Sequence, residues 1–317
     1  MNTQILTLVL GRLGVAFITL LIVSFVVFGA TEMLPGDIVE ILLGQAATPE
    51  AIAGLRSAMH LDDPSLVRYG RWILGLLQGD LGTSYANDLP IAEMIGDRLS
   101  NTLRLAAVTS AVAVPLALVL GITTAMFRGS IYDRIVTTGV VSVISVPEFM
   151  IATLAVLVFA VWLDWLPALS FANEATSWGE MFRVFAMPVI TLCGVITAQM
   201  IRMTRAAVID TLKMPYVEMA LLKGASRWRM VMRHALPNAL GPIVNAIALS
   251  LSYLLGGVII VETIFNYPGI AKLMVDAVAT RDLPLIQSCA MVFCIGYLTL
   301  ITLADILAIV ANPRLRK

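Results

Sequence analysis

Few side chains in this 317-residue chain are placed to do chemistry. It has two histidines, His60 and His234, and three cysteines, Cys193, Cys289 and Cys294. The cysteines stand in apolar runs without zinc or redox spacing, and read as small buried hydrophobes. No Ser/His/Asp triad and no metal-ligand cluster can be assembled from the order of residues. A G-x-x-x-x-G-K-[ST] loop is absent; the nearest string, Leu222-Lys223-Gly224-Ala225, has another order. The chain is therefore not expected to bind ATP by that route, and no cofactor is expected on it. One carboxylate lies deep in an apolar stretch: Glu148, directly after Pro147. A charge in hydrocarbon is costly unless paired or wet. Glu148 is thus expected to face a water-filled pathway and meet a solute's amino group there, or else to bond a neighbouring span or the exposed backbone at the kink.

The second feature is a basic segment, Tyr216–Leu240, that runs into a long apolar stretch. It is long enough for two short helices joined at Gly224, since glycine suits the left-handed residue that ends a helix. Ser226 can cap the next helix. The result is a cation-rich knob shaped to meet a soluble partner. Smaller polar residues in apolar runs, Ser142, Ser145, Asn245, Ser250 and Ser252, are candidates to line a pathway or to bond helix to helix. Glu262 lies near a span end, where it could gate an outer mouth, contact a soluble protein outside or cap the turn at Tyr267-Pro268-Gly269.

The elements that must hold these residues are membrane helices. The chain is 59% hydrophobic and 13% charged, with mean hydropathy +0.91, whereas soluble domains are about a quarter charged. Apolar runs of spanning length occur at Leu13–Thr31, Leu105–Phe127, Ile135–Leu163 (interrupted by Glu148), Val184–Ile201, Ala235–Val261 and Leu283–Ala304, six spans in all. The fold class is all-α membrane protein, read as one transmembrane domain over 1–317. No β-barrel alternation is present.

Charge sets the orientation. The 32–98 connection holds ten acids and four arginines, and 164–180 has three acids and no base. By contrast 202–234 carries seven Lys/Arg against two acids, Asp210 and Glu218. The tail adds Arg314, Arg316 and Lys317, and the 128–134 link has two arginines and one aspartate. Positive loops stay inside, so both termini and the 202–237 loop are expected in the cytoplasm. The first span reads as a retained anchor rather than a removed leader.

The outer segment, 32–104, carries helix starts at Thr48-Pro49-Glu50 and Asp63-Pro64. Over Leu66–Leu77, the residues Leu66, Tyr69, Ile73 and Leu76/Leu77 form a stripe, with Arg68 and Arg71 off it; such a helix could lie on the membrane surface or pack on the span tops, and packing is the reading preferred. Gly79–Gly82 closes this element. Pro115, Pro147, Pro188 and Pro242 lie inside spans, where each removes a helix hydrogen bond and favours a kink.

A pathway without its own energy source is moved by another protein, and the knob is where force could enter. Here the residues match a family. Glu218-Met219-Ala220, Gly224 and His234-Ala235-Leu236-Pro237 resemble the EAA loop of permease subunits from ABC-type importers, with Met219 for the middle alanine and His234 for isoleucine. The ending Arg233–Leu240 is similar to the peptide-importer branch. Further strings agree in order along the chain: Leu34-Pro35-Gly36-Asp37, Gly79-Asp80-Leu81-Gly82-Thr83-Ser84, Val261-Glu262-Thr263-Ile264-Phe265 with Tyr267-Pro268-Gly269, Arg281-Asp282-Leu283-Pro284, and Asn312-Pro313-Arg314. The chain resembles the dipeptide/oligopeptide permease that has the large outer segment.

The resemblance implies a type I importer permease fold in a bacterial cytoplasmic (inner) membrane. It implies a homologous second permease, two cytoplasmic ABC ATPases carrying ATP and Mg, and a binding protein outside. Glu218 would be the polar anchor of ATPase contact, Ala220 a close-packing position, Gly224 the turn, and Leu236 and Pro237 the end of the coupling motif. Glu148, Asn245 and Ser252 would border the solute's path, with Glu262 at the outer gate. Within this class nickel, glutathione, opine or modified-sugar import stays open. Two readings from other classes compete. An ion-gradient transporter predicts more buried ionisable residues and an inverted repeat. A membrane-anchored nucleic-acid binder would use the basic insert, but spans tether it at both ends; no nucleic acid is expected as partner, only membrane lipid and protein.

Overall fold

The computed structural model describes residues 3–34, 36–171 and 177–311. Pro35, Glu174, Asn312, Pro313, Arg314, Arg316 and Lys317, all used above, lie outside the described residues. Among those described the fold is helical, with one isolated bridge, Thr83 to Pro90, and no strand. The helices are α1 Thr3–Glu32, α2 Ile38–Leu43, α3 Pro49–Ala58, α4 Ser65–Leu77, α5 Ile91–Met126, α6 Ile131–Ile144 and α7 Glu148–Ala155. Then follow α8 Trp178–Leu212, α9 Pro215–Leu222, a short α10 turn Arg227–Arg229, α11 Leu236–Ile264, α12 Ile270–Thr280 and α13 Leu283–Ala311.

Among the described residues, five helices are long and apolar enough to cross a membrane: Val9–Glu32, Ile91–Met126, Gly179–Leu212, Arg227–Ile264 and Leu283–Ile306. The sixth expected span is not a kinked helix. It is a broken pair, Ile131–Ile144 and Glu148–Trp162, bent by 101°. Proline disfavours helix in the residue before it, and the break falls at Ser145-Val146-Pro147. Pro115, Pro188 and Pro242 instead lie inside helices.

Helix starts follow local chemistry. The Asp37 side chain accepts from Val39 N at 2.9 Å, and Thr48 from Ala51 N at 3.2 Å with Pro49 in the first turn. Ser177 and Glu180 form a reciprocal capping box that starts α8. Within the expected single domain, 1–317, the chain clusters into two compact units. One is 1–13, 103–267 and 297–317; the other is 14–102 and 268–296.

The second unit holds most of the outer segment. Its core joins Ile91, Ile95, Ile270, Leu273, Leu285, Ile286 and Cys289, and a smaller cluster holds Ile38, Val39 and Leu61. Asp282, fully buried, accepts from the Ser84 hydroxyl, from Tyr85 N at 3.1 Å and from Leu285 N at 3.4 Å. Arg56 bridges Asp37 and Asp62, and these carboxylates hold its guanidinium pKa above the usual value.

One expectation for this unit is refined and one is corrected. α5 begins at Ile91, inside the 32–104 segment, so that segment is helical at its end; the 36 residues of α5 span about 54 Å, well over the ~30 Å of a bilayer core. On α4, Leu66 and Leu77 are exposed. The packed face is Tyr69 and Trp72 against Phe25 and Phe28, with Arg68 turned in to pair with Glu32. The Glu32 carboxylate draws Arg68 onto this face, which leucine periodicity alone does not reveal.

Candidate coupling surface and solute pathway

The knob is built in the first unit. α8 runs as helix through Leu212, so 202–212 is a stalk rather than a loop. After Lys213 and Met214 the chain turns into α9, eight residues that carry Glu218 and Ala220. Gly224 sits at φ +82°, a conformation that penalises any side chain. There the Ala225 N–H returns to the Ala220 carbonyl at 3.1 Å, the six-to-one bond of a Schellman stop. Ala220 is thus part of the closure that ends α9. Ser226 then caps the next turn by accepting from Arg229 N at 3.4 Å.

The expectation of two short helices holds only for the first. From Arg227 the chain is helical through to Ile264, and His234 lies in this helix, not in a loop. Met230–Ala235 takes the wider π form. Pro237 has no N–H to offer the carbonyl of Arg233, and the wide turn before it accommodates the proline ring. The second arm of the knob is therefore the start of a span.

The outer face of the knob is apolar and basic. Met219 is 54% exposed, Leu222 75% and Trp228 59%, with Glu218, Lys223, Arg227 and Arg229 exposed beside them. The inner face is packed. Val217 and Val231 are buried. Val208, Ile209, Val231, Ala239 and Ile243 form a core with Ala125 of α5, and Leu236 packs against it. Leu236 therefore belongs to the root, whereas Pro237 is exposed.

Two further contacts stiffen the root, and neither was expected. A methyl on Gly121 of α5 would lie 2.8 Å from Thr204 Cβ and 3.2 Å from the Ile201 carbonyl, so the absent side chain lets α8 approach. Asp133, at the start of α6, accepts two parallel bonds of 2.8 Å from Arg205 of α8. It also accepts from Gly129 N at 2.9 Å and Thr137 Oγ1 at 3.2 Å. In the sequence Asp133 and Arg205 counted only as loop charges. Their separation of 72 positions hides the pairing.

The second feature lies at the bent helix pair. Glu148 opens α7 immediately after the break and is half-buried. No hydrogen bond or ion pair of Glu148 is found among the described residues. Its carboxylate lies against Gly257 of α11.

The other pathway candidates separate. Asn245 is exposed on α11, on a stripe with Pro242, Leu249 and Tyr253. Ser252 is buried and donates to the Ala248 carbonyl at 2.9 Å, within its own helix. Ser145 does the same to Val141 at 2.8 Å. Such internal bonds satisfy a hydroxyl in an apolar setting. Glu262 is fully buried, so it presents no surface to a soluble protein in this conformation. Its carbonyl accepts from Tyr267 N at 2.9 Å, and the Tyr267 ring meets Phe185 edge-on at 5.7 Å. Burial, with the Glu262 charge nearby, pushes the Tyr267 phenol well above its usual pKa. No group of three or more His, Cys, Asp or Glu that could hold a metal occurs among the described residues. Cys193 and Cys289 are buried thiols.

Comparison with known proteins covers the whole of this arrangement. The family profile for the binding-protein-dependent transport system inner membrane component matches residues 117–317. The profile for the N-terminal part of such components matches residues 5–106. The glutathione transport system permease protein GsiC of Salmonella paratyphi A is 36% identical over 311 residues, 98% of this chain and 99% of that protein. GsiC of Escherichia coli O6:H1 is similar to the same degree, 36% over 311 residues. A Brucella abortus protein, provisionally named a peptide transport system permease, is 33% identical over 313 residues, 98% of each chain.

Proposed function

We infer the function from family membership, which these matches establish: the chain belongs to the binding-protein-dependent transport system inner membrane components. It is a permease subunit of an ABC-type importer and an inner membrane component. Its work is to carry solute across the bilayer in a system that includes a binding protein.

We propose that the solute is a di- or oligopeptide, glutathione among them. Support comes from relatives that match this chain end to end and carry peptide and glutathione transport names. The proposed engine is a pair of cytoplasmic ATPases that hold ATP and Mg, with a second, homologous permease completing the path. Both termini and the knob face the cytoplasm in this reading, as the positive charge of 202–234 requires.

The observation that carries the mechanism is the knob itself. A short helix fixed at both ends is suited to move as a rigid body. One end continues from α8 and the other turns at Gly224 into α11. The exposed face of Met219, Leu222 and Trp228, with the exposed cations Lys223, Arg227 and Arg229 around it, suits a groove on a soluble protein. Glu218 is the polar anchor within that face, Ala220 and Gly224 close the helix, and Leu236 and Pro237 tie it to α11. Closure of the ATPases on ATP would push α9, and α8 and α11 would tilt with it. Glu148 and Asn245 border the path, and Ser252 and Glu262 support it from within α11.

Purification with co-expressed neighbouring genes tests this reading. Stable recovery with two ATPases and a second permease is expected. Solute transport by the isolated chain in vesicles would contradict it.

A further inference from the structure

Two glycines stand side by side on α11, and their surroundings differ. Gly256 is exposed, and a methyl there would touch nothing within 4 Å. Gly257 is buried, and a methyl there would lie 2.5 Å from Glu148 Oε1, 2.9 Å from Oε2 and 3.1 Å from Cδ. The three nearest atoms all belong to that one carboxylate. Neither glycine has a left-handed backbone that would call for glycine, and glycine inside a helix costs about 1 kcal/mol relative to alanine. At Gly257 the omitted side chain has a visible use: it leaves the space in which the Glu148 carboxylate lies.

The rest of the site favours a negative charge open to a cation. α7 begins at Glu148, and the positive end of a helix favours an ionised carboxylate there. α6 ends at the same break, where the carbonyl end of a helix adds partial negative charge. Broken spans occur in membrane proteins where the opened backbone borders a cavity rather than lipid. No protein cation answers Glu148 among the described residues.

We infer that Gly257 is the positioning residue of a cation-receiving notch, in which the Glu148 carboxylate takes the free ammonium group of the passing solute. This rests on the reading that the break borders the solute's path. It narrows the solute class to molecules with an unblocked amine.

Zero-length coupling tests it in the purified permease–ATPase complex. A water-soluble carbodiimide activates the Glu148 carboxyl. The amine of trialanine amide then attacks the acyl carbon, an amide bond forms and the urea leaves. Mass spectrometry of the Glu148 segment reads the adduct. Coupling is expected to saturate with trialanine amide. It should fall by about tenfold in Gly257→Ala, the size expected when an oriented group is pushed aside, and stay unchanged in Gly256→Ala. The melting temperature of Gly257→Ala should match wild type, because its methyl displaces only a flexible carboxylate. Coupling that never saturates, equal coupling in Gly257→Ala, or no reaction at Glu148 overturns the notch. None of these readouts needs uptake. A complex that couples at Glu148 yet imports no peptide would sink the solute reading and leave the notch standing.

Discussion

Asp133 and Glu148 are carboxylates in the same unit, and their surroundings are opposites. At the root of the knob, Asp133 receives a two-pronged guanidinium from Arg205, a backbone N–H from Gly129 and a hydroxyl from Thr137. Its side chain is 6% exposed, and that of Arg205 26%. At the break between α6 and α7, Glu148 has Gly257 beside it and no donor among the described residues. The contrast follows the two jobs proposed for these regions. A lever transmits force only if its root does not yield, so charge there is answered and packed. A path for a polar solute must instead keep charge unanswered until the solute arrives.

Three substitutions probe the contrast. The largest effect is expected for Asp133→Ala. Removing one member of a buried pair leaves the other uncompensated, at about 3–5 kcal/mol. Arg205 keeps some water, so a loss of about 2–3 kcal/mol is expected, read as a lower midpoint in thermal unfolding of the purified complex. Next is Glu148→Gln, which keeps size and removes charge. Peptide uptake should fall about tenfold, equivalent to ~1.4 kcal/mol, with unfolding midpoint and ATPase rate unchanged. A midpoint drop like that of Asp133→Ala would erase the distinction between the two sites. The smallest effect is Gly224→Ala, about 1 kcal/mol for a side chain at a left-handed position. It should appear as less solute moved per ATP hydrolysed, because the turn of the knob relaxes.

Much of this organisation is legible in the residues alone, and the limits have physical causes. Apolar runs locate the spans because lipid tolerates little else. Thr48-Pro49, Ser226 and Gly224 announce helix ends because capping is a local interaction. The remainder depends on contacts between distant positions. Leucine periodicity on α4 missed Trp72 and the inward Arg68, since the partner of Arg68 is Glu32 on another helix. Pro147 signalled a disturbance, but neighbouring prolines in Pro115, Pro188 and Pro242 helices look alike in sequence and do not break them. Gly257 carries no local signal, because its use lies in Glu148, 109 positions earlier. The continuity of the knob with α11 was hidden by charge: Arg227, Arg229 and Arg233 read as a separate short helix, yet they begin the helix that runs on to Ile264.

The central claim is that the exposed face of α9 is gripped by an ATPase. Cysteine cross-linking tests it most directly, with Met219→Cys in a chain whose three native cysteines are replaced. A short linker with a maleimide at one end and an active ester at the other should join the thiol at position 219 to a lysine amine of the ATPase in the assembled complex, the ester's alcohol leaving, and Glu50→Cys in the outer segment should yield no such adduct. An ATPase adduct at position 50 and none at position 219 would contradict the account.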